Sequence, residues 1–278
     1  MTYIKRPGAV PLLTVLDLFS GIGGFSLGLS KTGGFRTEAF CEIESYPQQV
    51  LKKHWPGVPV YEDIQELTSE RLVSDGIPAI DVITGGFPCQ DISNAGEQVG
   101  IEGSRSGLWG EYARLIGEIR PRYAVVENVS ALLSGDRGGW FGTVLRDLAR
   151  IGYDARWSCI SAADCGAPHL RNRVWVLAYP NEAHGKRRSL SGGFEKTHAG
   201  AGNRSAYKGG NNRREAIPEV CGMADGLSYW VDTPEPERVT KEAQKRTPRL
   251  KALGNAIVPQ IVTAIGQEIL KRESCQPQ

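Results

Sequence analysis

The sequence predicts an α/β fold with a mostly parallel sheet covered by helices on both faces. Three observations carry this. Short runs rich in apolar and β-branched residues recur through the first two-thirds of the chain. Stretches with helical spacing alternate with them. The runs are apolar throughout, without the apolar–polar alternation of a half-exposed sheet, as expected of strands buried on both faces.

In chain order, strands are expected at 14–19, 37–42, 80–84, 123–127, 153–160 and 174–178. Helices are expected at 25–31, 46–54, 110–119, 143–151 and 258–271. The character changes at Pro180, where Gly, Asn, Ser and Arg dominate and apolar periodicity fades. The expected division is an α/β domain over 1–179, a short variable region over 180–245, and a return of the chain to the main domain over 246–278. The 278 residues show no internal repeat, and their 40% hydrophobic content supports a sizeable core.

No apolar run approaches the ~18 residues a membrane span requires. Residues 1–13 carry Lys5, Arg6 and two prolines and show no secretory apolar stretch, so a cytoplasmic location is expected. The six cysteines contain no C-x-x-C pair, which argues against zinc and for reduced thiols, and no metal is expected. The net charge of +2 conceals an uneven distribution. Residues 185–214 hold eight basic side chains, among them Lys186, Arg187, Arg188, Arg213 and Arg214, against the single acid Glu195. Such a segment suits a phosphate-binding surface or, more plainly, a solvated basic loop.

Four short segments carry chemistry. Between the first strand and first helix lies Phe19-Ser20-Gly21-Ile22-Gly23-Gly24. Glycines there let a backbone approach a ligand, and a helix N-terminus offers free N–H groups. Glu42, ending the second strand, can accept hydrogen bonds from ribose hydroxyls. Together they point to an adenosine-bearing ligand, with Asp63 placed to meet the adenine amino group. A tight turn without a ligand is the plain alternative. The G-x-G-x-x-G order of nicotinamide-dinucleotide sites is missing. Cys89, after Gly85-Gly86-Phe87-Pro88, would face the same sheet edge as a nucleophile, or else be a small buried thiol. Glu127 follows an apolar strand; buried there, it would serve as a proton donor with a raised pKa, or as a salt-bridged structural acid. Arg171 and Arg173, alternating at a strand start, can clamp an anion or stand as solvated charges.

The ordered set resembles the DNA cytosine-5 methyltransferase family over nearly the whole chain outside roughly 180–245. The carrying motifs are Asp17 to Leu29, Glu42, Asp63, Gly86-Phe87-Pro88-Cys89-Gln90, Glu127-Asn128-Val129, Arg171-Asn172-Arg173 and Gly254-Asn255-Ala256-Ile257-Val258-Pro259. The resemblance implies a Rossmann-like S-adenosylmethionine-dependent methyltransferase sheet with a small target-recognition region. It implies a reaction in which a cytosine is flipped from duplex DNA and methylated at carbon 5 through a covalent cysteine adduct. The catalytic set implied is Cys89, Glu127, Arg171 and Arg173. For S-adenosylmethionine it implies Phe19, Gly21, Gly23, Gly24, Glu42, Ile43, Asp63, Ile64, Pro88, Asn255 and Ala256. For DNA it implies Gln90, Ser93 and Arg105 on a mobile loop from Asp91 to Leu108, together with the basic residues 186–188, 213 and 214. A monomer is expected, with a cognate restriction endonuclease as candidate functional partner. The chain departs from the family in its short variable region and lacks a clear arginine-containing segment near that region's end; Arg249-Leu250 is the nearest counterpart. The chief alternative is a tRNA cytosine-5 methyltransferase of the same fold.

Overall fold

The computed structural model describes residues 12–88, 107–165, 171–181 and 246–275. The sheet has seven strands: β1 (Leu13–Leu18), β2 (Phe35–Cys41), β3 (Val60–Tyr61), β4 (Val82–Gly86), β5 (Tyr123–Val129), β6 (Tyr153–Ser161) and β7 (Asn172–Pro180). The helices are α1 (Gly24–Ser30), α2 (Ser45–His54), α3 (Ser69–Ser74), α4 (Leu108–Ile119), α5 (Gly139–Arg150), α6 (Arg246–Asn255) and α7 (Pro259–Ser274).

The strand order is β3-β2-β1-β4-β5-β7-β6. β1 to β5 pair in parallel, and β7 runs antiparallel to both β5 and β6. β1 lies between β2 and β4, so the chain first builds outward on one side of β1 and then on the other. That reversal opens a crevice at the carboxyl ends of β1 and β4, where open α/β sheets bind ligands.

All six residues of β1 are buried, which explains its apolar run. Successive side chains divide between two cores with period two. Val15, Val82, Val125 and Leu177 meet Phe25 and Leu29 of α1 and Ile261, Val262, Ile265 and Ile269 of α7 on one face. Leu16, Ile83, Val126 and Val176 meet Leu115 and Ile116 of α4 and Val144 and Leu148 of α5 on the other. Each such aliphatic side chain contributes about 1.5–3 kcal/mol by leaving water.

The expected strands and helices are all present, with shifted ends. β4 extends through Gly86 and β5 through Val129, and β7 starts at Asn172. Main-chain pairing continues there past the end of the apolar runs. Two helices escape sequence periodicity. α3 has six residues, too few for a repeat, and is started by Thr68, whose hydroxyl oxygen accepts the Arg71 N–H at 3.1 Å. α6 is mostly polar, with one buried apolar residue, Ala252, and its Pro248 falls in the first turn, where no intrahelical N–H is required. Among the described residues no helix is long and apolar enough to cross a membrane.

α7 docks on α1 at glycine. A Cβ at Gly28 would stand 2.6 Å from both the Pro259 carbonyl oxygen and Val262 Cβ, and the Thr263 hydroxyl donates to the Gly28 carbonyl at 2.9 Å. Gly28→Ala is therefore expected to destabilise the fold by about 1–3 kcal/mol through overpacking. Urea unfolding of the variant checks this; an unaltered midpoint would show that α7 yields freely.

Candidate functional site

The glycine loop is shaped by backbone strain and by β2. Phe19 and Gly21 adopt left-handed φ values of 49° and 52°. A bulky residue rarely does so, and here the turn is pinned from two sides. The Ser20 N–H donates to the Cys41 carbonyl at 3.1 Å, and its hydroxyl donates to the Asp17 carbonyl at 2.5 Å. Glu42 then closes the turn: its carboxylate accepts the Gly21 N–H at 2.7 Å and the Glu44 N–H at 2.8 Å. Burial raises the Glu42 pKa, and these backbone N–H groups draw it back down.

Beneath the loop lies Asp17, fully buried inside an apolar strand. It accepts the Ser26 hydroxyl at 2.7 Å, the Thr84 hydroxyl at 3.0 Å and the Ser26 N–H at 3.3 Å. Burial lifts its pKa to about 7 against the lowering effect of these donors. Asp17 thus ties β1, α1 and β4 together. The sequence held its signal, a carboxylate within the run LTVLDL, but that run reads first as strand.

The second half of the site is built on β5. Glu127 is paired with Gly86 on one side and Trp175 on the other, near the carboxyl edge. Residues opposite one another in an antiparallel pair share a face, and so do residues two apart along a strand. Arg173 therefore stands diagonally from Glu127 on the same face, and its Nε lies 2.9 Å from Glu127 Oε1. Burial pushes the Glu127 pKa up; Arg173 and then Arg171 pull it down. The carboxylate occupies space that only glycine leaves free: a Cβ at Gly86 would lie 2.9 Å from Glu127 Oε2. Next to it, the buried Asn128 amide donates to the Phe87 carbonyl at 2.9 Å and fixes the chain two residues before Cys89.

These groups line one cavity of about 620 Å³. Phe19, Gly21, Glu42, Ile43, Asp63, Ile64, Pro88, Glu127, Arg171, Arg173 and Asn255 are brought to its wall as the sequence suggested. Gly23, Gly24 and Ala256 are not on the wall. The space a Gly23 side chain would take is filled by the Trp55 ring, and that of Gly24 by Ile257. Ala256 packs with Ile22, Val50 and Ala252. Their small size serves close packing behind the loop. Tyr46 and Lys251 line the cavity without having been picked out from the sequence, and Phe87 and Asn128, quoted there only within motifs, line it too. Lys251 lies one helical turn before Asn255, a spacing that becomes visible only once α6 is known to be a helix. Cys89, Gln90, Ser93, Arg105, Lys186, Arg187, Arg188, Arg213 and Arg214, and most of the loop from Asp91, lie outside the described residues; Leu108 opens α4.

The cavity fits an adenosine-bearing ligand. A Cβ on Gly21 would meet nothing within 4 Å, so the loop presents open backbone. The Glu42 carboxylate is pre-oriented beside it. Ile43 is 71% exposed on the wall, an apolar surface suited to covering an aromatic base. Among the described residues no group of three or more His, Cys, Asp or Glu is arranged to hold a metal ion.

The chain is similar to known proteins in sequence and in fold. The C-5 cytosine-specific DNA methylase family matches residues 13–212. The chain is 39% identical over 170 residues to the type II methyltransferase M2.BsuMI of Bacillus subtilis, covering 60% of this chain and 42% of that one. It is 31% identical over 241 residues to the type II methyltransferase M.Eco47II of Escherichia coli, covering 80% and 55%. The chain therefore spans about half the length of these relatives. A crystal structure from an E. coli prophage, assigned as a DNA modification methyltransferase, superposes with a TM-score of 0.52 at 29% identity, covering 60% of this chain and 47% of that one.

The Glu127–Arg173 pair makes a signed prediction. Arg173→Met removes a group that lowers the Glu127 pKa, so the midpoint should rise further above the ordinary glutamate value. A carboxyl-carbon NMR titration reads it. The folded state then holds this proton more tightly than the unfolded one, so the variant's stability loss should grow as pH rises through the raised midpoint. At neutral pH the loss should reach about 3 kcal/mol, the scale for stripping one partner from a buried pair. A titration unchanged from the parent would remove Arg173 as the partner that sets Glu127.

Proposed function

The chain belongs to the C-5 cytosine-specific DNA methylase family, and from that membership we propose that it transfers a methyl group from S-adenosylmethionine to carbon 5 of a cytosine flipped out of duplex DNA. The observation that carries the reading is the buried, arginine-held Glu127 on the same wall as the glycine loop and Glu42, with Pro88 leading directly into Cys89.

Each group has a task that its chemistry supports. Glu42 would accept the ribose hydroxyls, Gly21 would offer open backbone, and Ile43 would cover the adenine, with Asp63 near its amino group. When bound, S-adenosylmethionine supplies an electrophilic methyl on a sulfonium. Carbon 5 of cytosine is a weak nucleophile, and the protein corrects this from the other side of the ring. The Cys89 thiolate adds to carbon 6; the S–C6 bond forms as the 5,6 double bond opens. Glu127 donates a proton or hydrogen bond to N3 and takes up the charge that develops there. Burial suits Glu127 to this, since a raised pKa keeps a proton available. Arg173 holds the carboxyl group in place, as its 2.9 Å contact allows. Carbon 5 would take the methyl group as the sulfonium S–CH3 bond breaks and S-adenosylhomocysteine leaves as a neutral thioether. The carbon-5 proton then leaves to water, the S–C6 bond breaks with return of the 5,6 double bond and of the Cys89 thiolate, and N3 returns its proton to Glu127. A base inside stacked DNA cannot reach such a cavity, so flipping is required. The segment 185–214, with its excess of basic residues, would supply phosphate contacts.

Expression in a host lacking cytosine methylation, followed by base-resolution sequencing of 5-methylcytosine, tests the reading. Methylation at one recurring DNA sequence is expected, and its disappearance in Cys89→Ala, with the variant still folded. Methylation found only in tRNA would overturn DNA as the substrate. Glu127→Ala is expected to slow single-turnover methyl transfer by about 10²-fold or more; an unchanged rate would take Glu127 out of the mechanism.

A further inference from the structure

The two arginines of the Arg171-Asn172-Arg173 segment look alike in sequence, but the fold gives them different partners. Arg173 meets Glu127, the base-side acid, at 2.9 Å. Arg171 donates from Nη1 to the Gly254 carbonyl at 2.7 Å, across 83 residues of chain. Gly254 lies in the last turn of α6, where carbonyls lack intrahelical donors and carry the negative end of the helix dipole, so a guanidinium is a natural partner. The next residue, Asn255, lines the cavity. Beyond it, Ile257 fills the space over Gly24 and reaches toward Gly86, so the same turn touches the start of α1 and the end of β4. Arg171 itself lines the cavity and remains near enough to Glu127 to lower its pKa.

We infer that Arg171 is a positioning residue for the cofactor side of the site: by holding the Gly254 carbonyl it sets the Asn255 wall, and through its neighbour Arg173 it links that wall to the carboxylate that receives the base. This rests on the proposed function, in which the Gly21–Glu42–Asn255 end of the cavity holds S-adenosylmethionine. Arg171 and Arg173 stand two residues apart at the start of one strand, so a shift of the Asn255 wall bears directly on the arginine that orients Glu127.

The test is calorimetric binding of S-adenosylhomocysteine to the full chain without DNA. Arg171→Met is expected to weaken binding by about tenfold or more, ~1.4 kcal/mol. Arg171→Lys, which keeps one donor and the charge, should recover part of the loss. The ligand-induced rise in Tm should shrink in Arg171→Met in step with its affinity, which a general loss of stability would not produce. Methylthioadenosine, which lacks the amino-acid carboxylate, should lose affinity in parallel. Loss confined to S-adenosylhomocysteine would mean that Arg171 grips the carboxylate directly and would overturn the positioning role. So would unchanged binding in Arg171→Met or, should that variant not fold, in Arg171→Lys. A parent chain that bound neither ligand would overturn the proposed function itself.

Discussion

A carboxylate nearly sealed from water must be held by a cation, and much of this site follows from how Glu127 meets that requirement. An unpaired charge at its depth would cost several kcal/mol, and the group would simply keep its proton. Arg173 offsets part of that cost with one short contact, so the pKa is drawn back but stays raised by burial. The contact exists because β7 runs antiparallel to β5. In a parallel neighbour the first residues of the strand would lie at the amino edge of the sheet, far from Glu127. Reversal brings them to the carboxyl edge, and the register places Arg173 diagonally from Glu127 on the same face. The direction of one strand therefore decides whether the acid has its partner.

Around this pair, the site is defined as much by missing side chains as by present ones. Gly86 leaves room for the Glu127 carboxylate, Gly24 for Ile257, and Gly28 for α7. Substituted, each would force a charged or packed neighbour to move, because a close-packed interior has few compensating voids. Gly21 differs, since its missing side chain opens onto the cavity. Glycines that look equivalent in sequence thus divide into those that admit protein and one that opens onto the cavity.

Asp17 gives the arrangement its rigidity. Its two oxygens gather hydroxyl groups from α1 and β4, so the glycine loop and the strand leading to Cys89 are referred to one buried point. Ser20 does the same between the loop and β2. The glycine-loop end and the Glu127 end of the cavity are consequently held by the central strands, while the C-terminal wall is attached by Arg171, by the exposed Lys251–Glu44 contact and by the packing of Ile257. An exposed ion pair adds little, which leaves the guanidinium, the buried isoleucine and the packing of Ala252 and Ala256 against Ile22 and Val50 as the main ties.

The sequence by itself determined the local pieces of this protein. The mainly apolar runs such as 14–18 and 123–126 read as buried strands, and the helices between them argued for a largely parallel sheet. The positions of Phe19, Gly21, Glu42 and Pro88 after those runs placed them at one edge, because parallel strands share their carboxyl ends. Glu127 was legible as a costly acid in an apolar setting. Tertiary structure decided what depends on distant segments meeting. It reversed β7 and so matched Arg173 to Glu127, it sent Arg171 to a carbonyl 83 residues away, and it turned Gly23 and Gly24 toward Trp55 and Ile257. It also made 246–255 a helix whose pattern alone predicts none, bringing Lys251 to the cavity. Periodicity reports which face of an element is buried; the partner on that face is set only when the chain closes on itself.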